Sequence, residues 1–201
     1  MLPRGCIISK DIGLGIIGLG MGQDLYLLHN DPAYRFEVRG VCSATVEKAR
    51  TVAEKNGTPF WTNDYTALIE RDDIDVIGVY SPGHLHGIHC IAALEAGKHV
   101  VFTKPLVGPA HGEGVLEECE HIVQLVREKN LKFLVGQTMR FDPEFQAAKR
   151  FYEDGDIGET ILAEAHYVHD IGGVAEYTPW RVEAPQDFLF GGACHPIDIL
   201  R

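Results

Sequence analysis

The chain is poor in most features that would tie it to a membrane, a secreted scaffold or a nucleic acid. No apolar run approaches the roughly 18 residues needed to span a bilayer. The N-terminal run is broken by Lys10 and Asp11 and filled with glycine, unlike a secretory h-region. Cysteine is sparse and scattered: Cys6, Cys42, Cys90, Cys119 and Cys194 are odd in number and form no C-x-x-C pair. That usage suits free thiols in a reducing cytoplasm and excludes a disulfide scaffold. Basic residues are also few, 18 Lys and Arg against 29 Asp and Glu, for a net charge of −11 with no basic block. Neither nucleic acid nor an anionic membrane is an expected partner, which leaves a small molecule.

What is present is enough apolar residue for a core: 45% hydrophobic and 23% charged over 201 residues. Strand-length apolar runs alternate with helix-period segments up to about residue 136, the pattern of a parallel sheet flanked by helices. Strands are predicted at Leu14 to Ile17, Phe36 to Cys42, Pro59 to Trp61, Val76 to Tyr80, His99 to Phe102 and Phe133 to Val135. Helices are predicted at Gly22 to His29, Val46 to Asn56, Tyr65 to Glu70, His86 to Ala96 and Gly114 to Lys129. This is an α/β, doubly wound order. Beyond residue 140 the pattern changes to a helix from Pro143 to Tyr152, the turn "EDGDIGE", a strand from Thr160 to Val168, an irregular stretch to Gly191 and the opening of an amphipathic helix at Pro196 to Arg201. The expected division is a nucleotide-binding domain over 1–140 and part of a second domain over 141–201, with the chain expected to be a piece of a longer protein.

Two glycine patterns overlap in "GLGIIGLGMGQ". Gly13, Gly15 and Gly18 fit G-x-G-x-x-G in full, but a turn at Gly13 would leave only the polar "ISKD" as a buried central strand. A turn at Gly18 makes "GLGII" the strand and places Gly18, Leu19, Gly20, Met21 and Gly22 in the phosphate loop, where backbone N–H groups and a helix start favour a pyrophosphate. Gln23 then stands where a third glycine is usual, and Gly22 must permit any close packing. The second strand ends at Ser43 rather than at a ribose-binding carboxylate. With Thr45 and Lys48 nearby, this favours NADP over NAD, although no Arg follows Ser43 and Thr45 fits a helix N-cap equally well.

Three later segments narrow the fold to a family. "SPGHLHGIHCIAALEAGKHVVFTKPL", "VGQTMRFDPEFQAAKRFYEDGDIGE" and "FGGACHPIDILR", in that order and with Gly18-Leu19-Gly20 and the Trp180-Arg181 pair, resemble the Gfo/Idh/MocA oxidoreductases. The resemblance implies a Rossmann doubly wound sheet followed by the start of an α+β open-sheet substrate domain that forms homo-oligomers at full length. It implies hydride transfer between NAD(P) and a carbinol carbon of a sugar, cyclitol or related polyol. Lys104 falls on the lysine of the family's E-K-P motif, with Thr103 in place of the glutamate, and His195 on its active-site histidine, with Gly191 where an aspartate is common. Lys104 and His195 are the expected proton carriers. Lys104, Ser81, Pro82 and His86 are expected at the cofactor, and Arg140, Trp180, Arg181 and Asp198 at the substrate. His84, His86 and His89 offer three imidazoles, but they would project at differing angles with no carboxylate or Cys to complete a site, so no metal is expected. The other reading is a non-catalytic NAD(P)-binding regulator or scaffold of the same family, which Thr103 and Gly191 favour and the two proton carriers oppose.

Overall fold

In the computed structural model, residues 11–29, 31–106, 115–168, 173 and 189–201 are described. Six parallel strands form one sheet in the order β3-β2-β1-β4-β5-β6, with β1 Ile12–Ile17, β2 Phe36–Cys42, β3 Trp61–Thr62, β4 Val76–Val79, β5 His99–Thr103 and β6 Phe133–Gly136. Strand order reverses between β1 and β4, which opens a crevice at their carboxyl ends.

Alternation along the strands sends side chains to two cores. Leu14, Ile16, Val38 and Val41 pack with Ala49 and Val52 of α1 (Val46–Asn56). Ile17, Ile77, Val79 and Phe102 pack on the other face with α2 (Tyr65–Ile69), α3 (His86–Glu95) and α4 (Val115–Glu128). Helix α1 has sequence-encoded stops at both ends. Thr45 Oγ1 accepts the Lys48 N–H at its start, and Gly57 closes it in the left-handed region at φ 69°.

The glycine-rich turn follows the Gly18 register. Gly13 and Gly15 lie inside β1, and the chain turns at Gly18, whose φ is 94°. A Cβ there would sit 2.4 Å from the Tyr80 carbonyl carbon, so only glycine lets β1 pass this close to the loop after β4. The expected helix from Gly22 is instead a 3-10 helix, Met21–Leu28. Glycines at 20 and 22 weaken α-helix propensity, and the second is pressed against the sheet. A Cβ at Gly22 would come within 2.9 Å of Ile16 Cγ2 and 3.1 Å of Tyr80 Cβ, so this residue takes the close-packing part that Gln23 cannot. Gln23 turns back and donates its amide to the Leu19 carbonyl at 2.9 Å.

After β6 come a short 3-10 turn at Thr138–Phe141, helix α5 (Pro143–Glu153), a π-helical turn at Leu189–Ala193 and helix α6 (Cys194–Leu200). The strand expected over 160–168 does not form. Those residues are in no regular element, and Ile161, Leu162 and Val168 are exposed. A strand needs a neighbour for its N–H and C=O groups, and none pairs with this segment among the described residues.

Candidate active site

The carboxyl ends of the strands and the start of α6 enclose a cleft of about 730 Å³. Its first wall is the Gly18–Met21 turn. Gly20 faces open space, with nothing within 4 Å of a would-be Cβ, and the 3-10 helix that follows has no side-chain cap. Open glycine backbone before an uncapped helix start fits a pyrophosphate. Ser43, Ala44 and Lys48 form the end beyond β2. Ser81, Pro82 and His86 form the floor after β4, Thr103, Lys104 and Pro105 follow β5, and Tyr167 and His195 close the far side. Among the described residues no Asp or Glu lines this cleft, in a chain whose net charge is −11.

Lys104 reaches across to the π-helical turn, where its Nζ donates to the Gly191 carbonyl. His195 opens α6 and is buried, packed against the Tyr167 ring at 5.1 Å between centroids. Its Nδ1 is buried with no hydrogen-bond partner among the described residues. Desolvation pushes the His195 pKa below the usual imidazole value, the nearby Lys104 charge pushes the same way, and Asp198 opposes both. Burial and Lys104 thus favour the neutral ring, in which one nitrogen can accept a proton and the other donate one.

Other expected site residues are differently employed. Thr45 does not line the cleft, because its hydroxyl caps α1. Arg140 and Asp198 do not line it either. They meet in a two-pronged ion pair, Nε to Oδ2 at 2.8 Å and Nη2 to Oδ1 at 2.5 Å, which ties the turn after β6 to α6. His86 lies at the cleft wall, but both its ring nitrogens face backbone carbonyls, Nδ1 that of Pro105 and Nε2 that of Ser81, each at 2.7 Å. His89 turns into the sheet side, bonds Ser81 Oγ through Nδ1 at 2.8 Å, and is held by burial at a pKa of about 4. His84, His86 and His89 therefore do not converge, and no group of three or more potential metal ligands occurs among the described residues. Trp180 and Arg181 lie outside the described residues.

Sequence reasoning missed Tyr80, Thr138 and Tyr167 as cleft residues. Tyr80 could have been read from its place at the end of β4 beside Ser81. Tyr167 could not, since its position depends on a long-range fold of the segment after α5.

Residues 12–137 match the Gfo/Idh/MocA family, described as an oxidoreductase family with an NAD-binding Rossmann fold. The chain is 32% identical to levoglucosan dehydrogenase from Pseudarthrobacter phenanthrenivorans over 204 residues, covering 96% of this chain and 51% of that protein. It is 27% identical to inositol 2-dehydrogenase from Salmonella typhimurium, covering 92% of this chain and 52% of that one. Among solved structures, scyllo-inositol dehydrogenase from Lactobacillus casei, with bound NAD(H) and scyllo-inositol, superposes with a TM-score of 0.81 at 26% identity, over 96% of this chain and 56% of that chain. A levoglucosan dehydrogenase complex with NADH and levoglucosan gives a TM-score of 0.63 at 31% identity, over 75% of this chain and 41% of that chain. The chain thus spans about half the length of the curated relatives it matches. Six parallel strands in Rossmann order, a glycine turn open to the cleft and a sequence match through the whole sheet agree: this chain belongs to the Gfo/Idh/MocA oxidoreductase family.

Proposed function

We propose that the protein this chain represents is an NAD(P)-dependent dehydrogenase that oxidises a carbinol carbon of a sugar, cyclitol or related neutral polyol. The observation that carries the reading is the arrival of two proton-handling side chains, Lys104 and His195, in one cleft with an open glycine turn. A nicotinamide bound there would supply the hydride acceptor. Gly18, Leu19, Gly20 and Met21 would hold the pyrophosphate, while Gly22, which does not line the cleft, lets the following helix pack against the sheet; Ser81 and Pro82 would meet the ribose on the nicotinamide side, and Ser43 and Lys48 the adenosine ribose. A hydroxyl that loses hydride must also lose a proton. Neutral His195 accepts it, while the Lys104 ammonium holds the oxygen as negative charge develops there. A regulator that only bound the dinucleotide would need neither group.

Two further features support a neutral substrate and a roomy cofactor choice. Arg140 is paired with Asp198, so its guanidinium is not available to grip a substrate carboxylate or phosphate. Trp180 and Arg181, which lie outside the described residues, are proposed to complete the substrate pocket. At the adenosine end, Ser43 and Lys48, with no carboxylate among the described lining residues, allow a 2′-phosphate, which supports NADP as well as NAD.

Steady-state kinetics of Lys104→Ala over a polyol and sugar panel test the reading. The variant should lose about 10²–10³-fold in kcat while dinucleotide affinity stays within about twofold, as expected for a group that stabilises the developing negative charge on the oxygen. Unchanged turnover would sink it. Cofactor binding without reduction of NAD or NADP on any polyol would favour the regulator.

A further inference from the structure

We propose that His86 is a positioning residue: its imidazole rivets the loop after β4 to the turn after β5 and thereby sets where Lys104 presents its ammonium. The proposal rests on the dehydrogenase reading for its functional meaning, but its geometry stands alone. His86 begins α3 and is 1% exposed, wedged edge-on against Phe102 with ring centroids 6.0 Å apart at 73°. Its Nδ1 and Nε2 each sit 2.7 Å from a carbonyl oxygen, that of Pro105 and that of Ser81.

Pro105 immediately follows Lys104, so the first contact pins the peptide next to the reactive side chain. Ser81 lies on the cleft floor, so the second contact pins the opposite loop. One turn further along α3, His89 Nδ1 bonds the Ser81 hydroxyl at 2.8 Å and fixes that loop a second time. An apolar ring in place of His86 would fill the same space and join nothing. Burial favours the neutral imidazole, which offers a single N–H, while two carbonyl acceptors favour the doubly protonated ring. The doubly protonated ring donates to both loops. The neutral ring, by giving its one N–H to the Pro105 carbonyl, ties α3 and the loop that leads into it to the turn after β5, so removing the ring strands at least one buried carbonyl oxygen.

The consequence is that Lys104 is held at two places: at its tip by the Gly191 carbonyl, and at its base, through Pro105, by His86. Losing the hold at the base should loosen the one at the tip. Displacements of about 1 Å at such a group are enough to lower catalysis by about 10²-fold.

The test reads Lys104 directly, without substrate or cofactor. Acetylation of the native chain by a water-soluble acyl ester is followed at Lys104 by peptide mass spectrometry, with Lys132 and Lys149 as internal references. His86→Phe should raise the Lys104 rate constant about tenfold, the factor expected when one hydrogen bond to a charged group is released. His86→Gln, which keeps an amide donor at the site, should bring the rate most of the way back to the native value. Unchanged Lys104 reactivity in a folded His86→Phe chain overturns the proposal. So does an equal rise at the reference lysines, which would mean general loosening. If only His86→Gln folds, its Lys104 rate should rise about twofold to threefold, a fraction of the full hydrogen-bond factor, and no rise overturns the proposal. If neither variant folds, the ring serves folding and the positioning role is refuted. Failure here leaves the dehydrogenase reading intact, whereas silent Lys104→Ala kinetics would remove that reading and leave the rivet.

Discussion

Phe102 in β5 is fully buried, while Ile161 in the segment after α5 is 96% exposed, although both are large apolar residues in stretches whose sequence predicts a strand. The contrast holds across the two regions. Within 11–136, Leu14, Ile16, Leu68, Ile77 and Leu94 are inside. Beyond 137, Phe141, Phe151, Tyr152 and Leu162 face outward. What differs is the opposing surface. Strands of the sheet have ladder partners and helices laid over their faces, so their apolar side chains leave water, apart from Trp61 and Leu134 on the two edge strands. The 160–168 segment meets no partner strand among the described residues, and its pattern of alternation is left without a place to act. Hydropathy determines what a segment could bury, and topology determines whether it does.

The strongest way to break the contrast is to hollow out the buried side. Phe102→Ala should lower unfolding free energy by about 3–5 kcal/mol, as for other buried aromatic truncations, and chemical denaturation would measure it. An unfolding midpoint within error of the parent would mean that the sheet core is not the stabilising unit. Acid gives the next effect. Because burial holds the folded His89 pKa at about 4, the charged form is disfavoured in the fold, and stability falls as pH drops from about 6.5, the unfolded value, toward 4. The loss should be on the order of 3 kcal/mol from this group, and His89→Gln should flatten that limb of the stability–pH curve. The smallest effect belongs to the outer region. Ile161→Ser should change stability by less than about 0.5 kcal/mol, since it removes no buried contact. A loss as large as that of Phe102→Ala would show that the exposed segment packs on something in solution.

Much of the sheet was legible because its signals are local. β2 and α1 fall where alternation, Thr45 and Gly57 place them, and the choice between two glycine turns followed from asking which left a tenable central strand. The 3-10 character of Met21–Leu28 was not legible, because it comes from how closely Gly22 lies against Ile16 and Tyr80. In the site, Lys104 and His195 could be read from short motifs, and both line the cleft. The Gly191 carbonyl that holds Lys104 could not, because a main-chain acceptor leaves no mark on residue identity. Nor could the pairing of Arg140 with Asp198 be read from their separate motifs, since it needs the chain to bring the turn after β6 onto α6.

That main-chain acceptor sits in a π-helical turn, Leu189–Ala193, which leads straight into the helix carrying His195. A carbonyl is supplied by any residue type, so point substitutions at 191 that preserve the turn should leave the grip on Lys104 in place. Length is a different matter. Removing one residue from the turn would advance everything after it by about 100° around the helix axis, carrying the acceptor away from Lys104 and His195 away from the cleft together. The segment thus behaves as a spacing gauge, tolerant of what its residues are and intolerant of how many there are.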